Sequence, residues 1–352
     1  MLIHLLANLL ANLLYCLSLL ADSPSATLLA PKGYHPVVCT NGQQDVEVVY
    51  GLNDLIYYTH STDKGKTYAP AEVIDTLQDL FLVAQRRPQI ASNSQTTLVL
   101  ALNKAGNIFA YVKDKKTGRW TKRIKVSDQP DVAKEGFVSI AAGPGNMFYA
   151  VWNDLRGNAQ NKVVGARSLD GGRTWSANQK LYQSPEGPIC PCCSPSVAIE
   201  GSRVYITFRN ALAGSRDIHL LTSSDGGQHF GQPQKLGTGT WKLEGCPMDG
   251  GGVAIAKPGQ VVTAWRRENR IYVAEPGKPE QEVAQGGKNV ALASNALGNY
   301  IIWQADGKVW AITPRHNTPV SLGMGAFPRV AALPQSAVCV WETENGLLAT
   351  TL

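Results

Sequence analysis

Two short segments of this chain hold most of the side chains that could do chemistry. One is Gly187-Pro-Ile-Cys190-Pro-Cys192-Cys193-Ser-Pro195; the other is Gly245-Cys246-Pro-Met248-Asp249-Gly-Gly-Gly252. Together they carry Cys190, Cys192, Cys193, Cys246, Met248 and Asp249, more sulfur and acid than a connecting loop needs. Three chemistries fit these residue types. In an oxidising compartment thiols pair, so Cys192 or Cys193 could bridge to Cys246 as a staple between the segments. Thiolates joined by the Met248 thioether suit a soft ion, copper(I) or zinc. A free or redox-active thiol is the third. Against the metal stand the crowded Cys-Pro-Cys-Cys order, unlike a zinc knuckle, and the opposite directions that Cys192 and Cys193 take in an extended chain.

A second set of candidates is charged. Arg87 stands in Arg86-Arg87-Pro88-Gln, Asp154 in Trp152-Asn-Asp154-Leu-Arg156, and Arg266 in Trp265-Arg266-Arg267-Glu268. Arg209 and Arg216 bracket one loop, and Glu342 follows Trp341. Singly, each is a solvated loop charge. Gathered round one funnel with Asp249 and the tryptophans as platforms, they would suit an anionic sugar. Everything then depends on whether the fold brings them together.

The elements that would do so repeat. Ser61-Thr-Asp63-Lys-Gly65-Lys-Thr-Tyr68, Ser168-Leu-Asp170-Gly-Gly172-Arg-Thr-Trp175 and Ser223-Ser-Asp225-Gly-Gly227-Gln-His-Phe230 share the pattern S-x-D-x-G-x-x-aromatic. Each follows an apolar run: Leu55–His60, Val163–Arg167 and Ile218–Thr222. That is a strand entering a tight turn, in which the carboxylate accepts backbone N–H groups and glycine supplies a positive φ. A decayed copy runs from Lys113 to Trp120, so the rings of Tyr68, Trp120, Trp175 and Phe230 are spaced 52, 55 and 55 residues apart. A period near 50 with several short strands per unit marks a β-propeller.

The turn resembles the Asp-box (BNR) repeat of sialidase-like propellers. The resemblance implies an all-β ring of four-stranded blades with structural boxes. Strand patterns place units at 35–75, 86–126, 136–182, 195–236, 249–284, 288–322 and 327–352. Seven blades is the count, and six is the alternative because the early period nearly divides the chain six times. The last unit shows three strands, and Ala26–Ala30 supplies the fourth, so the two chain ends close the ring. Boxes fall between the third and fourth strands of a unit, on one rim. Loops between units, and loops between second and third strands, fall on the opposite rim near the axis. Both cysteine segments are therefore expected side by side in an axial funnel, far from the boxes.

Sialidases of this family use an arginine triad, an aspartate acid/base and a Tyr–Glu nucleophile, with the first arginine in an R-I-P motif. Here Tyr34-His35-Pro36 holds that place without arginine, Arg87-Pro88-Gln-Ile is a partial match in the following unit, and Tyr300 lies inside a strand. The catalytic set does not carry over. Three readings stay open: a propeller that binds a glycan or partner protein, a sialidase-like glycoside hydrolase, and a cysteine-dependent metal or redox protein. No cofactor is required by the fold.

Composition narrows the setting. Net charge is +6 from 33 basic and 27 acidic residues scattered along the chain, which disfavours nucleic acid. Residues 2–20 are apolar and Asp22-Ser-Pro-Ser-Ala26 follows. Residues 1–26 thus read as an export signal, with an uncleaved anchor as the alternative, and 27–352 as one propeller domain. Six cysteines remain, an even number that suits a periplasmic or secreted monomer. Cys39 and Cys339 fall in neighbouring units at the ring closure and are expected to lie close, with a bridge between them in prospect.

Overall fold

The computed structural model describes residues 26–352. The export-signal reading of 1–26 falls almost entirely outside them. Seven antiparallel sheets follow one another along the chain, six of four strands and one of five. Their spans are Tyr34–Thr76, Gln89–Lys125, Val138–Tyr182, Ser196–Lys235, Gly251–Gln285, Lys288–Met324 and Ala326–Thr351. These are blades 1 to 7, and the units read from sequence correspond to them one for one.

Blade 7 is completed by the start of the domain. Thr27–Ala30 pairs antiparallel with Gly346–Thr351, setting Thr27 opposite Ala349 and Leu28 opposite Leu348. The last strand thereby gains a hydrogen-bonded neighbour instead of an open edge.

Strand alternation explains the packing. In Ala337–Thr343, Val338 and Val340 face blade 1 beside Val46 and Val48, whereas Cys339 and Trp341 face blade 6 beside Ile302 and Val309. Successive side chains point to opposite faces, and each face of a blade meets a neighbour, so the middle strands are apolar on both sides. The same division fills the other five blade-to-blade interfaces. It also separates Cys39 from Cys339. They stand in adjoining blades, but Cys39 packs toward blade 2 and Cys339 toward blade 6, and both thiols are free.

The boxes fold as their residues dictate. Ser168 Oγ donates to Asp170 Oδ1 at 2.8 Å and accepts from Gly172 N–H at 2.8 Å. Thr174 donates its N–H to Oδ1 and its hydroxyl to Oδ2, at 2.9 and 2.6 Å. The Asp63 and Asp225 turns repeat this arrangement, anchored on Ser61 with Gly65 and on Ser223 with Gly227. Gly172 has φ +88 and packs on blade 2, where a β-carbon would sit 2.0 Å from Leu98 Cδ1. In the decayed copy Asp114 still accepts from Lys116 and Thr117 N–H, and Trp120 packs edge-on against Tyr58.

Burial alone would raise the Asp170 carboxyl, but the Thr174 hydroxyl and N–H outweigh it and hold the group below the usual range. Stability from this turn is therefore present above the ordinary aspartate pKa and lost as the pH falls through the depressed value. Asp170→Ala is expected to cost about 1.5–3 kcal/mol in urea unfolding while leaving ligand affinity at the opposite rim unchanged. Weakened binding at an unchanged melting temperature would instead put the box in the site.

Candidate functional site

Loops between blades converge on the axis at the rim opposite the boxes. They enclose a cavity of about 140 Å³ walled by Gln85, Ser194, Asp249, Leu292 and Arg329 among others. The two cysteine segments meet here. A β-carbon on Gly250 would lie 2.3 Å from the Ser194 carbonyl oxygen, so only glycine allows the loops to touch.

Three consecutive blades shape the lip in the same way. The inner strands of blades 6, 7 and 1 begin with a register shift, between Lys288 and Ala291, Ala326 and Arg329, and Tyr34 and Val37. Inside each shift sits a residue with left-handed backbone: Asn289 at φ 58, Phe327 at φ 51 and His35 at φ 54. Met248, leading into blade 5, has φ 54. Bulges re-aim side chains, and left-handed non-glycine residues cost energy. Their repetition round one opening marks this rim as the specialised one.

The bulges gather charge. Arg87 is 2% exposed, donates Nε–H to the Gln85 carbonyl at 3.2 Å, and leaves both Nη atoms without a hydrogen-bond partner among the described residues. Its guanidinium lies 5.9 Å from the Phe327 ring centre. Burial, then repulsion from Arg329, pushes the Arg87 pKa down against the pull of Glu342. Burial likewise pushes Arg329 down to about 10, opposed by Asp249. A buried Arg87 guanidinium that Arg329 depresses further, with neither arginine ion-paired among the described residues, is poised for an anion.

The acids beside them are held toward the neutral form. Burial raises Asp249 to about 6 against Arg209, the Asn289 N–H, Arg266 and Arg329. Its Oδ2 accepts from Asn289 N–H at 2.9 Å, Asn289 Nδ2 donates to Gln304 Oε1, and Gln304 Oε1 accepts from Phe327 N–H. Burial also raises Glu342, whose Oε2 accepts from His35 N–H at 2.7 Å.

His35 feels opposing influences. Glu342 Oε2 lies 3.3 Å from its Nδ1 and favours a charged ring. Burial, with Arg87 and Arg329, prevails and lowers the pKa from 6.5 to about 3. The folded protein keeps the ring neutral, while the unfolded chain takes up a proton below pH 6.5, so stability falls as pH drops from 6.5 toward 3. His35→Asn, which tolerates the left-handed backbone, is expected to remove that slope in urea midpoints between about pH 7 and about pH 5. Subtracting the variant from wild type isolates His35 from Asp249, whose raised pKa acts in the opposite sense.

Other charged candidates serve the scaffold. Arg209 is 1% exposed and donates to the carbonyls of Asp249, Arg216 and Arg266. Asp154 is fully buried, accepting from Trp152 Nε1 at 2.7 Å and from three nitrogens of Arg156. Arg216 reaches the Gly245 carbonyl, and Arg266 those of Glu268 and Pro247. Trp152, Trp265 and Trp341 are buried between blades and offer no platform. Exposed Tyr34 and half-buried Phe327 are the aromatic groups at the lip.

Sequence reasoning missed Arg329, His35, Phe327 and Gln85 as site residues. A signal existed: His35-Pro36, Arg87-Pro88, Ser194-Pro195 and Phe327-Pro328 each open an inner strand with a residue before proline.

The cysteines form a separate group beside the funnel. Pro191 and Cys192 make a turn, so the neighbouring thiols converge instead of pointing apart. The sulfurs of Cys190 and Cys193 are 3.4 Å apart, those of Cys190 and Cys192 3.6 Å, and those of Cys192 and Cys193 4.0 Å. Burial and mutual contacts push all three thiols up to about 12. Exposed Cys246 approaches Cys192, whereas Met248 is exposed and its carbonyl accepts from Gln85.

No protein-family profile matches the chain, and no curated protein does. Solved structures do. A protein of unknown function from Dyadobacter fermentans aligns at 13% identity and TM-score 0.56, over 93% of this chain and 97% of that one. The Penicillium chrysogenum α-L-arabinanase complexed with arabinobiose gives 12% and 0.54, over 94% and 96%. The SapL1 lectin in complex with α-methyl fucoside gives 11% and 0.53, over 84% and 96%. Sialidases match at TM-scores of 0.48–0.49, too low to carry their site residues across. At these identities the likeness establishes the β-propeller fold and nothing finer.

Proposed function

We propose that this propeller is an exported, monomeric glycan-binding protein that captures an acidic sugar in its axial funnel. The observation that carries the reading is the buried Arg87 guanidinium with two unpartnered nitrogens, set beside Arg329. A carboxylate or sulfate would satisfy those donors and relieve the repulsion between the two cations. Of the two arginines, Arg329 lines the funnel cavity, together with Gln85, Gln89, Ser194 and Ser196, which offer hydrogen bonds to sugar hydroxyls. Arabinobiose and α-methyl fucoside occupy two proteins of this fold, so propellers of this kind hold sugars.

A hydrolase is the second reading. It is favoured by Asp249 and Glu342, two carboxyls that burial holds toward their proton-donating forms beside the same funnel.

The test is a panel of sialylated, uronate-containing, sulfated and neutral oligosaccharides, with fluorogenic sialosides and uronides run in parallel. Binding restricted to acidic members is expected, and Arg329→Gln should weaken it about tenfold or more. Preference for neutral sugars, or indifference to Arg329→Gln, would overturn the reading. Turnover that depends on Asp249 or Glu342 would replace binder by hydrolase.

A further inference from the structure

The trio of buried thiols is independent of the funnel chemistry and asks for its own explanation. Cys190, Cys192 and Cys193 are 1%, 6% and 2% exposed, and their sulfurs form a triangle with edges of 3.4, 3.6 and 4.0 Å. A metal about 2.3 Å from each sulfur would set edges of about 3.8 Å in a tetrahedral face and about 4.0 Å in a trigonal plane. A disulfide needs about 2.05 Å between two sulfurs and leaves the third without a role. The triangle therefore has the dimensions of a ligand set.

The surroundings fit the same assignment. Asn153 Nδ2 donates to the carbonyls of Pro191 and Cys193, and Cys190 N–H donates to the Arg209 carbonyl, so the loop is fixed before any ion arrives. The Arg209 guanidinium favours the thiolates of Cys190 and Cys193 and offsets the negative charge that several thiolates would build up. Cys246 lies at the exposed edge near Cys192, outside the tight trio, so it must move inward to supply a fourth sulfur to an incoming ion. Cys190 and Cys193 also enclose two residues, the gap found in zinc-binding Cys-x-x-Cys pairs, which the crowded sequence obscures.

We propose that Cys190, Cys192 and Cys193 form a binding site for one soft d10 cation, zinc(II) or copper(I), with Cys246 as the outer ligand. Each coordinating thiol gives up its proton to solvent as its sulfur binds the ion, and no electron changes hands. Zinc takes four ligands, and a Cys246 thiolate holds it far more tightly than the water that would otherwise fill the fourth place, whereas copper(I) is content with the three buried sulfurs.

The experiment uses the full chain purified anaerobically under reductant, stripped with chelator, then titrated with Zn(II) or Cu(I) against a competing chelator. One equivalent per chain is expected, with at least three thiols withdrawn from a thiol-reactive reagent. Cys190→Ser and Cys193→Ser should each weaken uptake about a hundredfold or more, while Cys39→Ser and Cys339→Ser leave it unchanged. Cys246→Ser separates the ions: zinc affinity collapses and copper(I) affinity stays. Should a serine variant fail to fold, metal count and thiol protection by native mass spectrometry of the wild type decide the matter. Failure of the reduced protein to take up either ion overturns the site, as does uptake indifferent to Cys190 and Cys193. Cys190–Cys193 or Cys192–Cys246 disulfides, with no metal binding after reduction, reduce the cluster to a staple. None of these outcomes depends on whether the funnel binds a glycan.

Discussion

Arg209→Ala is expected to be the most damaging single substitution on the funnel rim, costing about 4 kcal/mol. The side chain stands between the two cysteine segments. Its backbone carbonyl accepts from Cys190 N–H at 3.0 Å, and its Nε donates to the Asp249 carbonyl at 3.0 Å. Its other nitrogens hold the carbonyls of Arg216 and Arg266, and Trp241 packs 5.3 Å from the guanidinium. Alanine leaves three carbonyls without their donor in a buried place, where each lost charge-assisted bond costs about 1–3 kcal/mol before relaxation. A melting temperature lower by about 6 °C should follow. Arg209→Lys should recover only a fraction of this, because one ammonium cannot span three diverging carbonyls. A shift below about 2 °C for the alanine variant would show that these loops hold their places without the clamp.

Arg87→Met is expected to do the opposite to stability and far worse to function. A buried guanidinium with two unpartnered nitrogens carries a desolvation cost that its single hydrogen bond, from Nε to the Gln85 carbonyl, repays only in part. Methionine of similar length, packed against Phe327, should stabilise the free protein by about 1–3 kcal/mol. The same change should weaken an acidic ligand about a hundredfold or more, since the charge-assisted contacts are gone. A rise in melting temperature together with lost binding is the signature of a residue kept for its ligand. A structural arginine would give the reverse: a destabilised protein that still binds. Urea unfolding and calorimetric titration with the strongest acidic ligand of the panel measure both halves.

The architecture was legible because it is encoded locally and repeated. A box needs only Ser168, Asp170, Gly172 and Trp175 at fixed offsets, and each such turn closes through contacts within a few residues. Period-two alternation in runs such as Ala337–Thr343 likewise needs no knowledge of distant chain. The spacing of those turns placed the first four blades, strand patterning placed the last three, and the missing outer strand of blade 7 pointed to the start of the domain for closure.

Side-chain destinations were a different matter. From residue types alone, Arg87, Arg209 and Arg266 are equivalent rim arginines, and Trp152 or Trp341 is as good a platform as Tyr34. Only the ring decides that Arg209 spends its donors on three carbonyls, that the tryptophans fill blade interfaces, and that Arg87 keeps two nitrogens unpaired. Arg329 lies 242 positions from Arg87 in the chain, and their repulsion exists only because blades 7 and 2 flank the same opening. The cysteine turn is a smaller case of the same rule: an extended chain would point Cys192 and Cys193 apart, and the bend at Pro191 brings their sulfurs to 4.0 Å. What short-range hydrogen bonding and alternation control, the boxes and the strands, was set by the sequence itself. What depends on which distant groups share a buried space, the pairing of charges and the direction of each thiol, was decided by the tertiary structure, because desolvation and Coulomb energies are properties of the assembled neighbourhood.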